Sequence, residues 1–433
     1  MNTIGVVTQT AERAEMAPAD RRKLLVVVSE FPKITETFAY RNLVEYDRMG
    51  HEPWLFHIKP YRHHDKVHAF FEPLMHRVFS LPYLGASSLL PMLAEWIRAP
   101  RRMACLAARL IRAHWREPKR GLAVAALYPK AVALGRWCRA QGIDHVHGEF
   151  AGHPANAAFI ASQVGGVPFS FTAHANDIFV SQAMLVDKAQ AARFIRSISA
   201  YNIRFLSELE GFPTERLKLI RCGVVAEQTR TPAPEAPDQS PDGEGLRILY
   251  VGSLIEKKGV RHLLEALAQL PTKMRWRARI VGGGDLAAAL QAQAEALGLG
   301  ARVQFNGPLT AEEVAEAHRW AHVLVVPSII ATSGRVEGIP VVLMEAMGHG
   351  RAVIASALSG IPELVEDGQT GWLTEAGDAS HIANALQEIA GDWPRAAAIA
   401  AAGQARIQTD YLISENARAL AAAMTTDPQR TPP

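Results

Sequence analysis

The sequence predicts an α/β protein with two parallel sheets covered by helices, and three observations lead to this fold class. At 433 residues the chain is longer than one hydrophobic core usually fills. Continuous apolar runs alternate with alanine-rich helical stretches such as residues 156–164, as in βαβ units. A segment with four prolines and little apolar bulk, residues 226–245, interrupts this alternation once. We therefore expect two sheets joined by a linker.

The predicted strands follow from apolar runs that end in polar turns. The run LLVVVSEF at residues 24–31 is typical of a strand buried on both faces. The other strand-like runs of the first half are residues 53–58, 145–150, 168–172 and 217–221. Those of the second half are residues 246–251, 278–281, 303–305, 323–326, 352–355 and 372–374.

A last helical stretch lies near residues 414–424, and a polar tail follows it. These features predict the domain organisation of the whole chain. The predicted parts are an N-terminal domain (21–225), a proline-rich linker (226–245), a C-terminal domain (246–405), a C-terminal helix that packs back on the N-terminal domain (406–424) and a disordered tail (425–433).

Composition indicates an ordinary globular protein of a reducing compartment. The chain is 48% apolar and 21% charged. Cys105, Cys138 and Cys222 lie far apart and form no CxxC, which argues against a disulfide framework and a zinc site. The first twenty residues contain three acids and no long apolar core, and no apolar stretch reaches 18 residues. We expect a cytoplasmic protein without a signal peptide or membrane span.

Charge is distributed unevenly along the chain. Residues 1–225 carry a net charge of +10 and the remainder −7. Eleven basic residues lie between Arg98 and Arg139, with Glu117 as the one acid among them. Such a stretch either attracts an anionic lipid or acceptor or forms a solvated helical face, and charge alone leaves both open. No nucleic-acid reading module accompanies it, so we expect no nucleic-acid partner.

The segment EGIPVVLME places Glu337 and Glu345 eight residues apart around a loop-to-helix junction. Were the span helical throughout, the carboxylates would lie about 12 Å apart along the axis. That separation suits one group near a hexose and the other near the ribose of one nucleotide sugar. Pro340 suits the first turn, and free N–H groups there suit a phosphate. The spacing alone also fits two surface glutamates on an amphipathic helix.

Several polar residues follow predicted strands, where ligands bind in open parallel sheets. His174 ends the strand FSFTAH, and His147 and Glu149 end DHVHGEF. The glycine run 282–284 follows another strand and fits either close approach of a ligand or a plain tight turn.

Metal binding is not expected. No D-x-D pair occurs in the chain, so the usual carboxylate ligands of a Mg²⁺ or Mn²⁺ diphosphate complex are absent. Residues 57–76 are rich in histidine, including His63, His64 and His68, but their irregular spacing and the lack of cysteine favour a mobile polar loop over a metal site.

Five motifs occur in an order that resembles glycosyltransferase family 4, the retaining enzymes of GT-B fold. They are FPKITETF (31–38), FTAHANDIF (171–179), VGSLIEKKGV (251–260), EGIPVVLMEAM (337–347) and SGIPELVEDGQTGWL (359–373). The resemblance spans nearly the whole chain and implies two Rossmann-like domains that face each other across a cleft. The first and fourth motifs are most similar to the exopolysaccharide and colanic-acid biosynthesis branch.

The resemblance also implies roles for individual residues. It assigns catalysis to His174 and Glu337, with Glu337 on the transferred sugar, and the ribose hydroxyls to Glu345. It assigns the donor phosphate to Lys258. Further implied donor-binding residues are Gly252, Gly283, Gly338, Ile339, Pro340 and Val341. Implied acceptor-binding residues are Thr35, Glu36, His147, Glu149 and Asp177. Without the resemblance, His174 fits a structural histidine, and Thr35 and Glu36 fit a helix cap.

This sequence departs from the family pattern at two positions. Ser253 stands where an arginine is usual, so either Lys257 or another basic group replaces a phosphate cation or donor binding is weakened. Glu149 stands where the related branch often has histidine, which alters the expected acceptor contacts.

The function implied by the resemblance is retaining transfer of a sugar from a nucleoside diphosphate donor to a lipid-linked polysaccharide precursor. The nucleotide sugar is a co-substrate, and no cofactor or metal is expected. Residues 81–115 combine apolar residues, two tryptophans and several arginines, as in an interfacial amphipathic element or in packed helices. We therefore expect contact with an anionic membrane at the inner face of the plasma membrane. Two alternatives stay open, namely a non-catalytic sugar-nucleotide-binding partner and a sugar-nucleotide epimerase.

Overall fold

The computed structural model describes residues 20–33, 36–63, 67, 69–240 and 243–426. The chain folds as two compact units. Of the described residues, one unit comprises those up to Glu149, His153–Phe171 and those from Ala417, and the other comprises those in Phe150–Gly152 and Thr172–Asn416. The domain boundaries near residues 225 and 246 stay a prediction.

Seven strands form the first sheet, in the order β3-β2-β1-β4-β5-β6-β7. The strands are β1 (Lys23–Val28), β2 (Glu52–His57), β3 (Val78–Phe79), β4 (His145–Gly148), β5 (Phe169–Ala173), β6 (Ile195–Ser197) and β7 (Leu217–Leu219). The central strand β1 pairs in parallel with β2 and β4, and Leu24–Val28 are buried. This is the double-sided burial that its continuous apolar run predicts.

Among the described residues, eight α-helices accompany the strands of the first sheet. They are α1 (Thr37–Arg48), α2 (Ala86–Arg98), α3 (Pro100–His114), α4 (Pro118–Gln141), α5 (His153–Gly165), α6 (Asn176–Phe179), α7 (Leu185–Ala191) and α8 (Ala200–Ser207). Short 3₁₀ segments lie at Ala69–Arg77 and Thr214–Arg216.

Six strands form the second sheet, in the order β10-β9-β8-β11-β12-β13, with every pair parallel. The strands are β8 (Leu246–Val251), β9 (Trp276–Val281), β10 (Val303–Gly307), β11 (Val323–Val326), β12 (Ala352–Ser356) and β13 (Trp372–Thr374). The helices are α9 (Val260–Ala268), α10 (Ala287–Ala296), α11 (Ala311–Trp320), α12 (Val341–Gly348), α13 (Ile361–Leu364), α14 (Ala379–Gly391), α15 (Trp393–Asp410) and α16 (Ile413–Thr425). Further 3₁₀ turns lie at Ala226–Arg230 and Glu256–Lys258.

The two parallel sheets with helices confirm the predicted α/β class. All eleven predicted strands are present, and β3 and β6 are additional. No helix in the described part of the chain is long and apolar enough to cross a membrane.

The proline-rich segment is fastened to the protein along its first half. Arg351 donates a hydrogen bond to the Pro232 carbonyl at 2.9 Å. Gln404 on α15 donates to the carbonyls of Thr229 and Thr231 at 3.1 and 3.2 Å. These donors satisfy backbone groups that a free linker would leave to water, so residues 229–232 are anchored rather than loose.

Candidate functional site

Glu337 lies buried between two lysines in the loop before α12. Its carboxylate accepts a hydrogen bond from Lys258 Nζ at 2.8 Å and contacts Lys257 Nζ through the other oxygen. Burial by itself raises the pKa of Glu337, but the attraction of Lys258 and Lys257 outweighs it, so the pKa lies below its ordinary value. At neutral pH one carboxylate and two ammonium groups give this cluster a net charge of +1.

A glycine fixes the turn that presents the two lysines. Gly259 follows the 3₁₀ turn Glu256–Lys258 in the left-handed conformation, with φ of 65°. A Cβ atom there would lie 1.9 Å from the Pro327 carbonyl oxygen, just after β11. The Lys257 carbonyl also accepts a hydrogen bond from Ile329 N at 2.9 Å. The lysine turn is therefore fastened to the end of the strand next to its own.

The glycine run after β9 serves backbone packing. A Cβ atom on Gly282 would lie 1.9 Å from the Gly252 carbonyl oxygen. Leu254 N donates to the Gly283 carbonyl at 2.9 Å, and the Ser253 carbonyl accepts from the Tyr250 hydroxyl at 3.0 Å. The loops after β8 and β9 thus approach each other closely, whereas donor contact by Gly252 and Gly283 stays a prediction.

The span between the two glutamates is not helical throughout. Helix α12 begins at Val341, and Pro340 is its N-cap with φ of −66°. Residues 337–339 belong to the preceding loop, where Ser359 Oγ donates to the carbonyls of Glu337 at 2.5 Å and Gly338 at 3.2 Å. The separation of about 12 Å expected for a continuous helix therefore does not apply.

The loop of Glu337 touches the turn that carries His174. Val336 N donates to Asn176 Oδ1 at 3.3 Å. A Cβ atom on Gly338 would lie 3.2 Å from the His174 carbonyl oxygen. The structure thus brings the two residues predicted to be catalytic onto adjacent backbone segments.

Asp177 holds the turn of His174. Its carboxylate accepts the backbone N–H groups of Ala151 and Ala175, both at 2.7 Å, and of His174 at 3.2 Å. The His174 ring packs against Phe150 with centroids 4.5 Å apart. These bonds give Asp177 a structural task, and its contact with an acceptor stays a prediction.

Glu345 lies on α12 beside a buried histidine. Its side chain is 22% exposed, and His318 Nε2 lies 3.9 Å from its carboxylate. Neither ring nitrogen of His318 has a hydrogen-bond partner among the described residues. The ring stacks on His349, whose Nδ1 lies 2.6 Å from Thr231 Oγ1. Burial, reinforced by His349 and Arg351, lowers the pKa of His318 to about 3, so this histidine is neutral at pH 7.

Sequence reasoning missed His318 and did not foresee that Lys257 and Lys258 share one carboxylate. His318 sits on an ordinary amphipathic helix, so no local pattern marks it. The KKG turn does mark the lysines, but their common partner lies 79 residues from Lys258.

The remaining predicted acceptor residues lie in the other unit. His147 and Glu149 are buried, with His147 Nε2 3.6 Å from the carboxylate. His147 Nδ1 and His145 Nε2 both lie within hydrogen-bond distance of Ser170 Oγ, at 2.7 and 2.8 Å. One hydroxyl has a single proton, so it donates to one ring and accepts from the other. The end of β4 therefore carries a buried polar network that includes Ser170 and Glu149.

The loop before α1 is described from Glu36 onward, and Thr35 lies outside the described residues. Glu36 is buried and pairs with Lys33 Nζ at 2.6 Å. Its side chain makes no capping hydrogen bond to α1. Glu36 therefore occupies the N-cap position of α1 without capping the helix through its side chain, since its carboxylate pairs with Lys33.

Within the described residues, no three or more histidine, cysteine or acidic side chains are grouped to hold a metal ion. His64 and His68 of the histidine-rich stretch lie outside the described residues. Cys105, Cys138 and Cys222 are free thiols.

Comparison with known proteins identifies part of the chain. Residues 234–406 match the family model described as "Glycosyl transferases group 1". The amylovoran biosynthesis glycosyltransferase AmsK of Erwinia amylovora is 34% identical over 202 residues, which are 46% of this chain and 48% of that protein. The putative colanic acid biosynthesis glycosyltransferase WcaL of Escherichia coli is 38% identical over 178 residues, 41% of this chain and 42% of that protein. These matches span less than half of the relatives' own length.

The fold comparison covers both sheets. A crystal structure of Anabaena HepE in complex with UDP-glucose aligns with a TM-score of 0.69 over 93% of this chain and 99% of that one, at 20% identity. This similarity confirms the predicted GT-B fold. The C-terminal part of the chain therefore carries a group 1 glycosyl transferase domain, and its curated relatives agree with the predicted exopolysaccharide branch.

Proposed function

We propose that the chain is a retaining glycosyltransferase that moves a sugar from a nucleoside diphosphate donor to a polysaccharide precursor. The buried cluster of Glu337, Lys257 and Lys258 carries this proposal. Negative charge accumulates on the diphosphate as the glycosidic bond breaks, and fixed cations stabilise it. A cluster of two ammonium groups and one carboxylate, with a net charge of +1 and on a segment next to His174, matches that need. The group 1 domain over residues 234–406 supports the same chemistry.

We propose that Lys257 supplies the cation that is missing at Ser253, where an arginine is usual in the family. Both lysines reach the two oxygens of one carboxylate, so their ammonium groups converge. Their side chains are only 16% exposed, and partial burial strengthens charge interactions relative to bulk water. The proposed diphosphate contacts are therefore Lys258 and Lys257, with the ribose on Glu345.

In the proposed reaction the bond from the anomeric carbon to the diphosphate oxygen breaks, and a bond from the same carbon to the acceptor oxygen forms. The acceptor hydroxyl attacks the face from which the diphosphate leaves, and the leaving phosphate oxygen accepts the hydroxyl proton. Glu337 is proposed to contact the transferred sugar, and His174 to hold sugar hydroxyls near the reacting carbon. The two lysines stand in for a divalent cation, so the proposed reaction needs no metal.

Donor and acceptor are proposed by class. HepE was crystallised with UDP and with UDP-glucose, which supports a nucleotide sugar and puts uridine donors first in a binding panel. AmsK and WcaL are named for amylovoran and colanic acid biosynthesis, which supports an exopolysaccharide precursor. We propose a lipid-linked acceptor at the inner face of the plasma membrane.

A titration with nucleoside diphosphates and nucleotide sugars, with and without EDTA, tests the donor site. We expect selective binding that survives EDTA, and at least about tenfold weaker binding in Glu345→Ala, since a lost charge-assisted hydrogen bond costs about 1.5–3 kcal/mol. Glu388→Ala is the control, because Glu388 forms an exposed pair with Arg395 far along the chain.

Transfer is then tested with the labelled donor and a lipid extract as acceptor. Labelled lipid that forms with wild type and not with Glu337→Gln supports the proposal. Epimerised donor without transfer would replace it with epimerase activity. Binding without any reaction across a broad acceptor panel would replace it with a non-catalytic partner, and no binding at all would refute the donor site.

A further inference from the structure

Helices α2 and α3 expose apolar side chains at helical spacing. Seven of the thirteen large exposed apolar side chains among the described residues lie between Leu84 and Leu122. The α2–α3 surface is defined here by five of them, Leu90, Leu93, Ile97, Ile111 and Trp115, which are between 52% and 84% exposed. On α2 these positions are spaced by three and four residues, so they form one stripe. Helix α2 therefore buries Ser88 and Glu95 and turns its apolar stripe outward, whereas α3 buries Met103, Leu106 and Leu110 and exposes Ile111.

The same helices carry an excess of positive charge. Glu95 is the one acid between residues 86 and 116, and it is completely buried. Four arginines surround its carboxylate, namely Arg102 at 2.6 Å, Arg139 at 3.2 Å, Arg136 at 3.3 Å and Arg98 at 3.8 Å. One carboxylate neutralises one of these four charges, and the four arginine side chains are 33–64% exposed.

Further exposed arginines flank the apolar stripe. Arg101 lies in the first turn of α3, Arg112 lies in its last turn, and Arg116 follows Trp115. An arginine has an apolar stem and a charged head, which suits the boundary between acyl chains and phosphate headgroups. Glu117, next to Arg116, is 36% exposed and pairs with Arg120 at 2.7 Å, so the surface keeps an excess of positive charge. Apolar side chains rimmed by arginines are complementary to an anionic lipid surface.

We propose that the α2–α3 surface docks on a bilayer that contains anionic phospholipid. Leu90, Leu93, Ile97, Ile111 and Trp115 enter the boundary of the acyl chains, and the arginines contact phosphates. A second copy of the chain fits less well, because a two-fold contact through this surface would set arginines against arginines. None of these residues belongs to the proposed donor site.

Flotation with vesicles tests the proposal directly. The full chain is mixed with vesicles of phosphatidylcholine alone or with phosphatidylglycerol added, and the floated fraction is measured. We expect flotation with the anionic vesicles and little with the neutral ones. The triple variant Arg101→Gln/Arg112→Gln/Arg116→Gln should lose about fivefold in partition coefficient per arginine. The matched control is Lys218→Gln/Lys273→Gln, two exposed lysines elsewhere, which should bind like wild type.

The apolar contribution is tested by Leu93→Asn/Ile97→Asn/Ile111→Asn. These side chains are 52%, 84% and 71% exposed, so the fold should tolerate the changes. We expect at least about tenfold weaker partitioning, since each buried leucine-sized side chain contributes more than a factor of ten when fully inserted. The control Leu219→Asn/Leu297→Asn changes residues that are both 38% exposed and should have no effect.

Three results would overturn the proposal. They are no flotation with anionic vesicles at low salt, unchanged flotation of both surface variants, and a wild-type dimer in sedimentation that becomes monomeric in the apolar variant. Nucleoside diphosphate titration of each variant separates docking from the donor site. A variant that binds nucleotide normally but no longer floats supports docking. If every variant loses both nucleotide binding and flotation, the variants are misfolded, which a lowered unfolding midpoint would detect. That result would reject these exposed positions as a separate surface.

Discussion

Replacement of Glu337 by glutamine keeps the shape of the side chain and removes its charge. In the native protein the carboxylate pairs with Lys258 at 2.8 Å and with Lys257, and none of the three side chains is more than 16% exposed. The variant leaves two ammonium groups close together without a counter-ion. Loss of one partner of a buried ion pair typically costs 3–5 kcal/mol, and the residual exposure of the lysines favours the lower end, about 3 kcal/mol.

Urea unfolding at pH 7 measures this change in the free energy of unfolding through the midpoint, at constant slope. The pH dependence gives a second check. The folded protein holds the pKa of Glu337 below its ordinary value of 4.5. Its stabilisation is therefore complete above about pH 4.5 and is lost as the pH falls through the lower folded pKa. We expect the difference between wild type and Glu337→Gln to shrink below that pH.

The matched control is Glu388→Gln. Glu388 pairs with Arg395 at 2.8 Å, but the two side chains are 40% and 55% exposed. Exposed pairs contribute about 0–1 kcal/mol, so the control should stay within about 0.5 kcal/mol of wild type. A Glu337→Gln variant as stable as this control would refute the reading of the cluster as a buried ion network. The substitution also raises the cluster charge from +1 to +2, so nucleoside diphosphate binding should not weaken while transfer is lost.

Three further predictions concern the neighbouring residues. Gly259→Ala should lower the free energy of unfolding by about 2 kcal/mol or more, because φ is 65° and the new Cβ would lie 1.9 Å from the Pro327 oxygen. Urea unfolding measures this loss, and a change under about 0.5 kcal/mol would contradict the prediction. Steady-state kinetics should show a raised donor KM for Glu345→Ala. For His174→Ala we expect about 10²-fold lower kcat with little change in KM. Unchanged kinetics in both variants would reject the assignments. His318 has a folded pKa of about 3, so the free energy of unfolding of the wild type should fall as the pH drops below about 6.5. In urea unfolding, His318→Leu should flatten this pH slope by up to about 1.4 kcal/mol per pH unit. An identical slope in both proteins would contradict the buried neutral imidazole.

The strands could be predicted from the sequence where they are buried on both faces. Leu24–Val28 and Val323–Val326 are continuous apolar runs, and both form central strands. Strand β3 has only two residues, so it has no period to detect. Strand β6 has three, and its middle residue is Arg196, which is buried because its guanidinium donates to the carbonyls of Ile220 and Arg221, both at 2.9 Å. A charged residue satisfied by distant backbone oxygens cannot be recognised from the local pattern.

The anchoring of the proline-rich segment could not be predicted for the same reason, since its partners are distant in the chain. Its four prolines and lack of apolar residues predict exposure, and most of it is exposed or half-buried. The bonds that hold Thr229 and Pro232 come from Gln404 and Arg351, more than 100 residues away in the chain. Neither donor differs in sequence context from an ordinary surface residue.

Sheet order explains why the motifs mark Lys257, Lys258 and Glu337 one by one but do not reveal that they pair. The lysine turn follows β8, and Glu337 lies in the loop that follows β11. These strands are neighbours in the order β10-β9-β8-β11-β12-β13, although two strands lie between them in the chain. Parallel neighbours end at the same edge of a sheet, so residues after either strand converge on one place. Lys257, which we propose as the replacement for the cation missing at Ser253, lies four residues further along the same loop, and its carbonyl accepts a hydrogen bond from Ile329 N just after β11.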